Sequence, residues 1–231
     1  KNTAGLFTEF SRYIQSGEVQ SACVTQKGDF SRRRKFPWYD LLFYLIFRSE
    51  KTVNSELTRY FADMGRSSER ISKQALFKAA KKLNPEVFSD LILKFSELFY
   101  RSPLVKKYRG YLLLAEDGTT LEIPKSRQSL SEFGYVENQS TRKSDRYIHK
   151  ASSHSAILYD VTNGIAVDFL MRPYRYSEIP LAIEHLERTE KILHGRKIIY
   201  LADRYYDSVE LFRLQKKKAG IIELIMNVIG L

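Results

Sequence analysis

KIIYLADRYYDSVELF, residues 197–212, decides how this chain is read. Ile198 to Ala202 is a short apolar run with β-branched and aromatic members, the composition of a buried strand. It stops on an acid, Asp203. A helical pattern follows, and its start already has a cap: Asp207 with Glu210 three residues later forms a capping box. Asp203 is therefore left over. It either pairs with a neighbouring cation such as Arg204 or Lys197, or it does chemistry.

Working outward, SVELFRLQKKKAG predicts a helix ending at Gly220, and IIELIMNVI predicts a further strand. On the N-terminal side, SEIPLAIEHLERTEKIL predicts a helix with Leu181, Ile183, His185, Leu186 and Ile192 on its apolar face. HSAILYDVT and NGIAVDFLMRP read as two strands about an Asn163-Gly164 turn. Residues 125–150 are polar and read as a loop or insert. YLLLAED reads as a strand, and TTLEIP as a short extended continuation. The order is strand, strand, strand, helix, strand, helix, strand, which specifies a mixed α/β sheet with crossover helices.

Asp117 repeats the pattern of Asp203, because it closes the apolar run YLLLAE. Two carboxylates at the ends of neighbouring strands would meet at one rim of a sheet. Hard divalent cations take such oxygen ligands. Two such ions can activate an attacking oxygen and stabilise a leaving one in phosphoryl transfer. The competing reading of Asp117-Gly118 is an ordinary hairpin turn.

Residues 1–102 read differently, as helices throughout. A short helix is expected near 4–16. Trp38 to Arg48, preceded by Pro37, is apolar almost all round and reads as a buried helix. Val53, Leu57, Phe61 and Met64 keep helical spacing up to a stop at Gly65. Ser72 caps a helix through 82, and Asn84-Pro85 ends it and starts another over 85–100. SPLVKKYRG, over 103–110, reads as a linker to a second domain at 111–231.

Charge follows the same division. The net charge is +11 over 231 residues. Residues 1–110 hold 21 Lys and Arg against 11 Asp and Glu, and the remainder holds 17 against 16. A basic helical half points to a polyanion, nucleic acid before a membrane surface. Arg32, Arg33, Arg34 and Lys35 form a compact phosphate-binding run. Lys73, Lys78 and Lys81 stud the helix after a short turn, an arrangement like a helix-turn-helix reader. A solvated helix is the alternative for those lysines. Arg172 and Arg175 lie between a strand and a helix near the expected rim and are candidate DNA-phosphate contacts. No apolar run reaches the ~20 residues a membrane span needs. The single cysteine, Cys23, excludes an internal disulfide framework and fits a reducing compartment, the cytoplasm. His149 and His154 lack zinc-site spacing, and no glycine cluster forms a phosphate loop.

These stretches together resemble a DDE transposase of a bacterial insertion sequence, of the fourth insertion-sequence family. FSRRRKFPWYDLLFYLI and ISKQALFKAAKKLNPEVF resemble its helical N-terminal region. LLLAEDGTTLEIP resembles its first-acid motif and YLADRYYDSVELF its second, with Arg204 and Tyr206 in familiar places. The resemblance implies an RNase H-like sheet with Asp117 and Asp203 as the first two acids of an Asp-Asp-Glu triad. It implies Mg²⁺, with Mn²⁺ as a substitute, and double-stranded DNA as substrate: transposon ends to cleave and target DNA to join. It further implies a homodimer and a place at the bacterial nucleoid, with Arg204 contacting DNA.

One departure is plain. The family's third acid lies in a Tyr-x-x-Arg-x-x-x-Glu-x-x-x-x-x-x-Lys pattern. Only 28 residues follow Asp203, and Asp207, Glu210 and Glu223 do not match it. The expectation is an incomplete RNase H-like domain that lacks the catalytic Glu and does not transpose alone. A non-catalytic DNA-binding repressor of transposition and an unrelated metal-dependent nuclease are the alternatives.

Overall fold

The computed structural model describes residues 2–31, 35–49, 51–137, 149–203, 206, 208, 209, 211 and 222–226. Two compact units divide between Leu91 and Ile92. Asn2–Leu91 is helical and consists of α1 (Thr3–Ile14), α2 (Gly17–Ala22), α3 (Trp38–Phe47), α4 (Val53–Asp63), α5 (Lys73–Ala80) and the start of α6 (Glu86–Tyr100). Caps define the starts. The side chains of Asn2, Ser16, Thr52 and Ser72 accept from backbone N–H groups at Gly5, Val19, Ser55 and Ala75. Gly65 has φ +68°, the left-handed turn expected after α4.

The core of this unit is aromatic. Phe36 packs edge-on to Tyr44 and Tyr60, and Phe61 lies against Phe36 and Tyr60. Two acids are buried there, Asp40 and Glu56. A buried charge must find partners. Asp40 accepts from Tyr60 Oη at 2.8 Å and pairs with Arg66, and Glu56 accepts from Tyr44 Oη at 3.3 Å.

The second unit is built on a mixed sheet of β1 (Leu112–Glu122), β2 (Tyr135–Glu137), β3 (His149–Asp160), β4 (Ile165–Pro173), β5 (Ile198–Ala202) and β6 (Ile222–Met226). The strands run β2-β3-β1-β5-β6, with β4 also on β3. β3 is antiparallel to β1 and β4, whereas β1, β5 and β6 run parallel. Between them come α7 (Arg127–Phe133) and α8 (Glu178–Leu193). Leu181 of α8 packs with Ala156 of β3 and Leu170 of β4. Mixed sheet, flanking helices and the Asn163-Gly164 hairpin are as expected from sequence.

Two expectations are corrected. Residues 125–150 are not simply a loop. Ser126 caps α7 with a reciprocal Ser126–Ser129 capping box, and β2 then joins β3. Asp117-Gly118 is not a turn, nor does Asp117 end its strand. β1 runs unbroken to Glu122, because β3 supplies partners along it as far as Ser152. The capping box at Asp207 and Glu210 and most of the helix after it lie outside the described residues.

Candidate active site

The register of the sheet brings the two acids together. β1 pairs with β5 from Leu112↔Ile198 to Ala115↔Leu201. Asp117 lies two residues beyond the last pair on β1, and Asp203 two beyond it on β5. Parallel neighbours in register share a face, and adjacent strands lie ~4.8 Å apart. Both aspartates are exposed. They therefore stand side by side where β5 ends and β1 continues, at the carboxyl ends of parallel strands, where open α/β sheets place their ligands.

The residue before Asp117 does the opposite. In β1 the even positions Leu112, Leu114 and Glu116 are buried. Glu116 thus enters the core on the period-2 pattern of its strand. His185 of α8 meets it there: Nδ1 lies 2.8 and 3.0 Å from its two oxygens, and both side chains are fully buried. Tyr200 Oη donates to it at 3.3 Å. Burial pushes the Glu116 carboxyl up, against the hydrogen bonds from His185 and Tyr200 that pull it down. Removal from water and the Glu116 charge push Tyr200 well up. A second buried acid, Asp168 of β4, is held by Arg188 of α8 at 2.7 Å. A third, Asp160, accepts from Tyr100 Oη at 2.7 Å and from Asn163. Asn163 in turn bonds both backbone groups of Lys106, fastening the hairpin to the 103–110 segment.

Sequence reasoning missed Glu116 and the acids of β3 and β4. The signal for Glu116 was present in the parity of its strand. Its partner His185 stood on the apolar stripe of the predicted helix, a position that asks for a polar partner. Tyr206, named only as familiar in its motif, is 2% exposed, and its hydroxyl has no hydrogen-bond partner among the described residues. Burial raises its pKa most, and Glu116, Glu178, Asp117 and Asp203 raise it further.

Among the described residues no group of three or more His, Cys, Asp or Glu is drawn together tightly enough to hold a metal ion as it stands. The donor set nonetheless fits a hard divalent cation. It is all oxygen, and it carries two exposed aspartates at matching positions past the last β1–β5 pair.

The expected DNA contacts are mixed. Lys35, Lys73, Lys78 and Lys81 are exposed on the helical unit. Lys73 lies over the ring of Phe77, itself 47% exposed, at 5.6 Å. Arg175 is exposed, but Arg172 is engaged by Glu184. Arg32, Arg33, Arg34 and Arg204 lie outside the described residues. Among the described residues no helix is long and apolar enough to cross a membrane.

An acid on the first strand and another just past a parallel neighbour present two oxygen ligands at one end of the sheet, the ligand type a divalent cation takes in phosphoryl transfer. The family model for the transposase DDE domain matches residues 108–225, and the chain belongs to that family. Among solved structures, the chain is similar to a piggyBac transposase synaptic complex with hairpin DNA, at 12% identity and TM-score 0.43, covering 97% of this chain and 51% of that one. It is also similar to a Mos1 mariner paired-end complex with Mn, at 10% identity and TM-score 0.31, covering 98% and 68%. This chain spans about half the length of that piggyBac transposase chain. No curated protein matches it.

Proposed function

We propose that this chain carries out the DNA-directed part of transposition of an insertion sequence, with Asp117 and Asp203 as the acids that hold the divalent cation. The observation that carries the reading is the β1–β5 register, which sets the two acids side by side at the end of β5. Membership of the transposase DDE family supports the reaction class. When bound, the cation, Mg²⁺ with Mn²⁺ as substitute, would supply Lewis-acid activation of an attacking oxygen and a phosphate. Asp117 and Asp203 would hold it, and the Glu116–His185 pair would fix the strand that carries Asp117.

Double-stranded DNA is the proposed partner, both element ends and target. Lys35, Lys73, Lys78, Lys81 and Arg175 are proposed to contact its phosphates, together with Arg32, Arg33, Arg34 and Arg204. Arg172 would first have to leave Glu184. A homodimer, bacterial origin and a place at the nucleoid belong to the same proposal.

No residue after Asp203 in this chain matches the pattern of the third acid. We therefore expect the chain alone to bind DNA and to capture Mn²⁺ without joining ends to a target. The test is calorimetric titration with Mn²⁺, paired with a Mg²⁺-dependent strand-cleavage and transfer assay on DNA carrying the element ends. Binding that is lost in Asp117→Asn and in Asp203→Asn supports the acid site, and equal binding in all three proteins refutes it. Strand transfer by the chain that vanishes in Asp117→Asn would overturn the expected incompleteness.

A further inference from the structure

The helix α5 turns a narrow apolar edge inward and a broad face to solvent. Leu76 is buried, and Ala79 and Ala80 are half-buried. On the other side Lys73, Phe77 and Lys81 recur every four residues, with Gln74 and Lys78 alongside, and all five are exposed. Residues three and four apart on a helix are neighbours, so these side chains make one surface. It combines three cations, one amide and one large ring, and it holds no acid.

Both ends of this helix are fixed. Ser72 caps the start by accepting from the Ala75 N–H at 3.1 Å. At the far end Lys82 pairs with Asp29, the Thr25 N–H donates to the Lys82 carbonyl, and the Asn84 N–H donates to the Cys23 carbonyl. Lys82 is thereby committed to the fold. Lys73, Lys78 and Lys81 have no ion-pair partner among the described residues, and the Gln74 amide has no hydrogen-bond partner among them.

Phe77 is 47% exposed, and Lys73 Nζ lies over its ring at 5.6 Å from the centroid. A single exposed ring is common on protein surfaces. This one has a lysine one turn away on either side. A protein partner disfavours that setting, because lysine is depleted in the cores of protein interfaces. Duplex DNA fits it. The major groove admits an α-helix, the flanking phosphates take lysines, and the base edges offer what Gln74 and Phe77 can read. A glutamine amide meets adenine N6 and N7 with two hydrogen bonds, and an apolar ring meets the thymine methyl. Both residues lie in the first two turns of α5, and reading helices touch base edges with their N-terminal residues.

We propose that α5 reads DNA sequence in the major groove, with Gln74 contacting adenine, Phe77 packing on a thymine methyl, and Lys73, Lys78 and Lys81 holding the phosphates around them. The connection from α4 to α5, residues 64–72, is longer than the turn of a helix-turn-helix. The inference therefore rests on the face of α5 rather than on that motif, and on the reading of the chain as a DNA-binding protein. It makes the helical unit selective for A·T pairs, where lysines alone would bind any duplex.

The test is selection from a pool of DNA duplexes with a randomised core, by the 231-residue chain and by its Gln74→Ala and Phe77→Ala variants. Melting temperature, salt dependence of affinity and sedimentation are measured for each. The unaltered chain is expected to enrich a site containing A·T pairs. Gln74→Ala should lose about 5-fold or more of the preference at an adenine, the low end for a bidentate contact. Phe77→Ala should lose about 4-fold at a thymine, the value of one buried methyl. Both should keep the melting temperature and the salt slope, because both side chains are exposed and neither neutralises a phosphate. In the unaltered chain, 7-deazaadenine and deoxyuridine at the selected adenine and thymine should weaken binding by similar factors, and this measurement decides should a variant fail to fold. A selected site that both variants share and both analogues leave untouched overturns the roles of Gln74 and Phe77 while DNA binding stands. Salt-dependent duplex binding with no selected site does the same. Weaker self-association of Phe77→Ala with unchanged DNA preference also overturns the proposal and assigns the ring to a contact between copies. Absence of salt-dependent duplex binding removes the DNA reading itself, and this proposal with it.

Discussion

Glu116 and Asp117 are neighbours with opposite fates, and the pleat is the reason. One points into the core and the other stands exposed beside Asp203. Glu116 is fully buried against His185, so removing one partner leaves the other without its hydrogen bond in a dry site. Breaking a buried pair in this way costs about 3–5 kcal/mol. His185→Leu is expected to lower unfolding free energy by about that amount in urea melts. The double replacement Glu116→Leu with His185→Leu should recover a large part of the loss, because two apolar groups leave no orphan charge. A loss in the double variant equal to the sum of the two singles would show that the pair itself is not the unit. Cys23 offers a second test at this scale. It is fully buried, and burial pushes its thiol up from 9.0 to about 11. The thiolate is the reactive form. Alkylation by iodoacetamide at pH 8 should therefore be slow in the folded chain and fast in urea. The sign of the linkage follows from the raised value. The stabilising contribution of the neutral thiol is intact below pH 9 and is lost as pH rises from 9 through about 11.

At the scale of elements, α8 does more than cover the sheet. Its first turn brings Glu178 to β1, its middle brings His185 to Glu116, and its last turns bring Arg188 to Asp168. Leu181 fixes it through Ala156 and Leu170. Leu181→Ala is expected to cost about 2–5 kcal/mol, the range for emptying a core leucine site. Because α8 also holds Glu116, the neighbour of Asp117, through His185, the same variant should weaken Mn²⁺ capture beyond what global unfolding explains. Calorimetry well below the melting temperature separates the two effects. Unchanged affinity there would mean that α8 does not position the site.

For the whole molecule, the uneven charge is the feature with consequences. Each phosphate neutralised by a Lys or Arg releases counterions, so log affinity falls linearly with log salt, by about 0.9 per contact. The full chain should bind double-stranded DNA with a steep salt slope. Replacing Lys73, Lys78 and Lys81 together by Glu should reduce that slope by about 2–3, with melting temperature unchanged because all three are exposed. A flat salt response in the unaltered chain would refute the DNA reading. An unaltered slope in the triple variant would move the contact surface elsewhere.

Helix starts at Ser72 and Ser177, the strand from Ile198 to Ala202 and the hairpin at Asn163-Gly164 were legible in the sequence, because caps, turn chemistry and apolar periodicity are local. Charge is additive, so the basic character of residues 1–110 was equally legible. The two aspartates could be named from the runs they follow. Their meeting could not. It depends on β5 pairing parallel to β1 in one register out of several, and pairing is settled by contacts between residues some eighty positions apart. The turn reading of Asp117-Gly118 failed for the same reason, since only β3 lying alongside keeps β1 extended through it. Glu178 was invisible to any local rule. Its place against Gly118 exists because α8 folds back over a glycine, and a side chain that is absent can mark a contact only once the tertiary structure shows what fills its space.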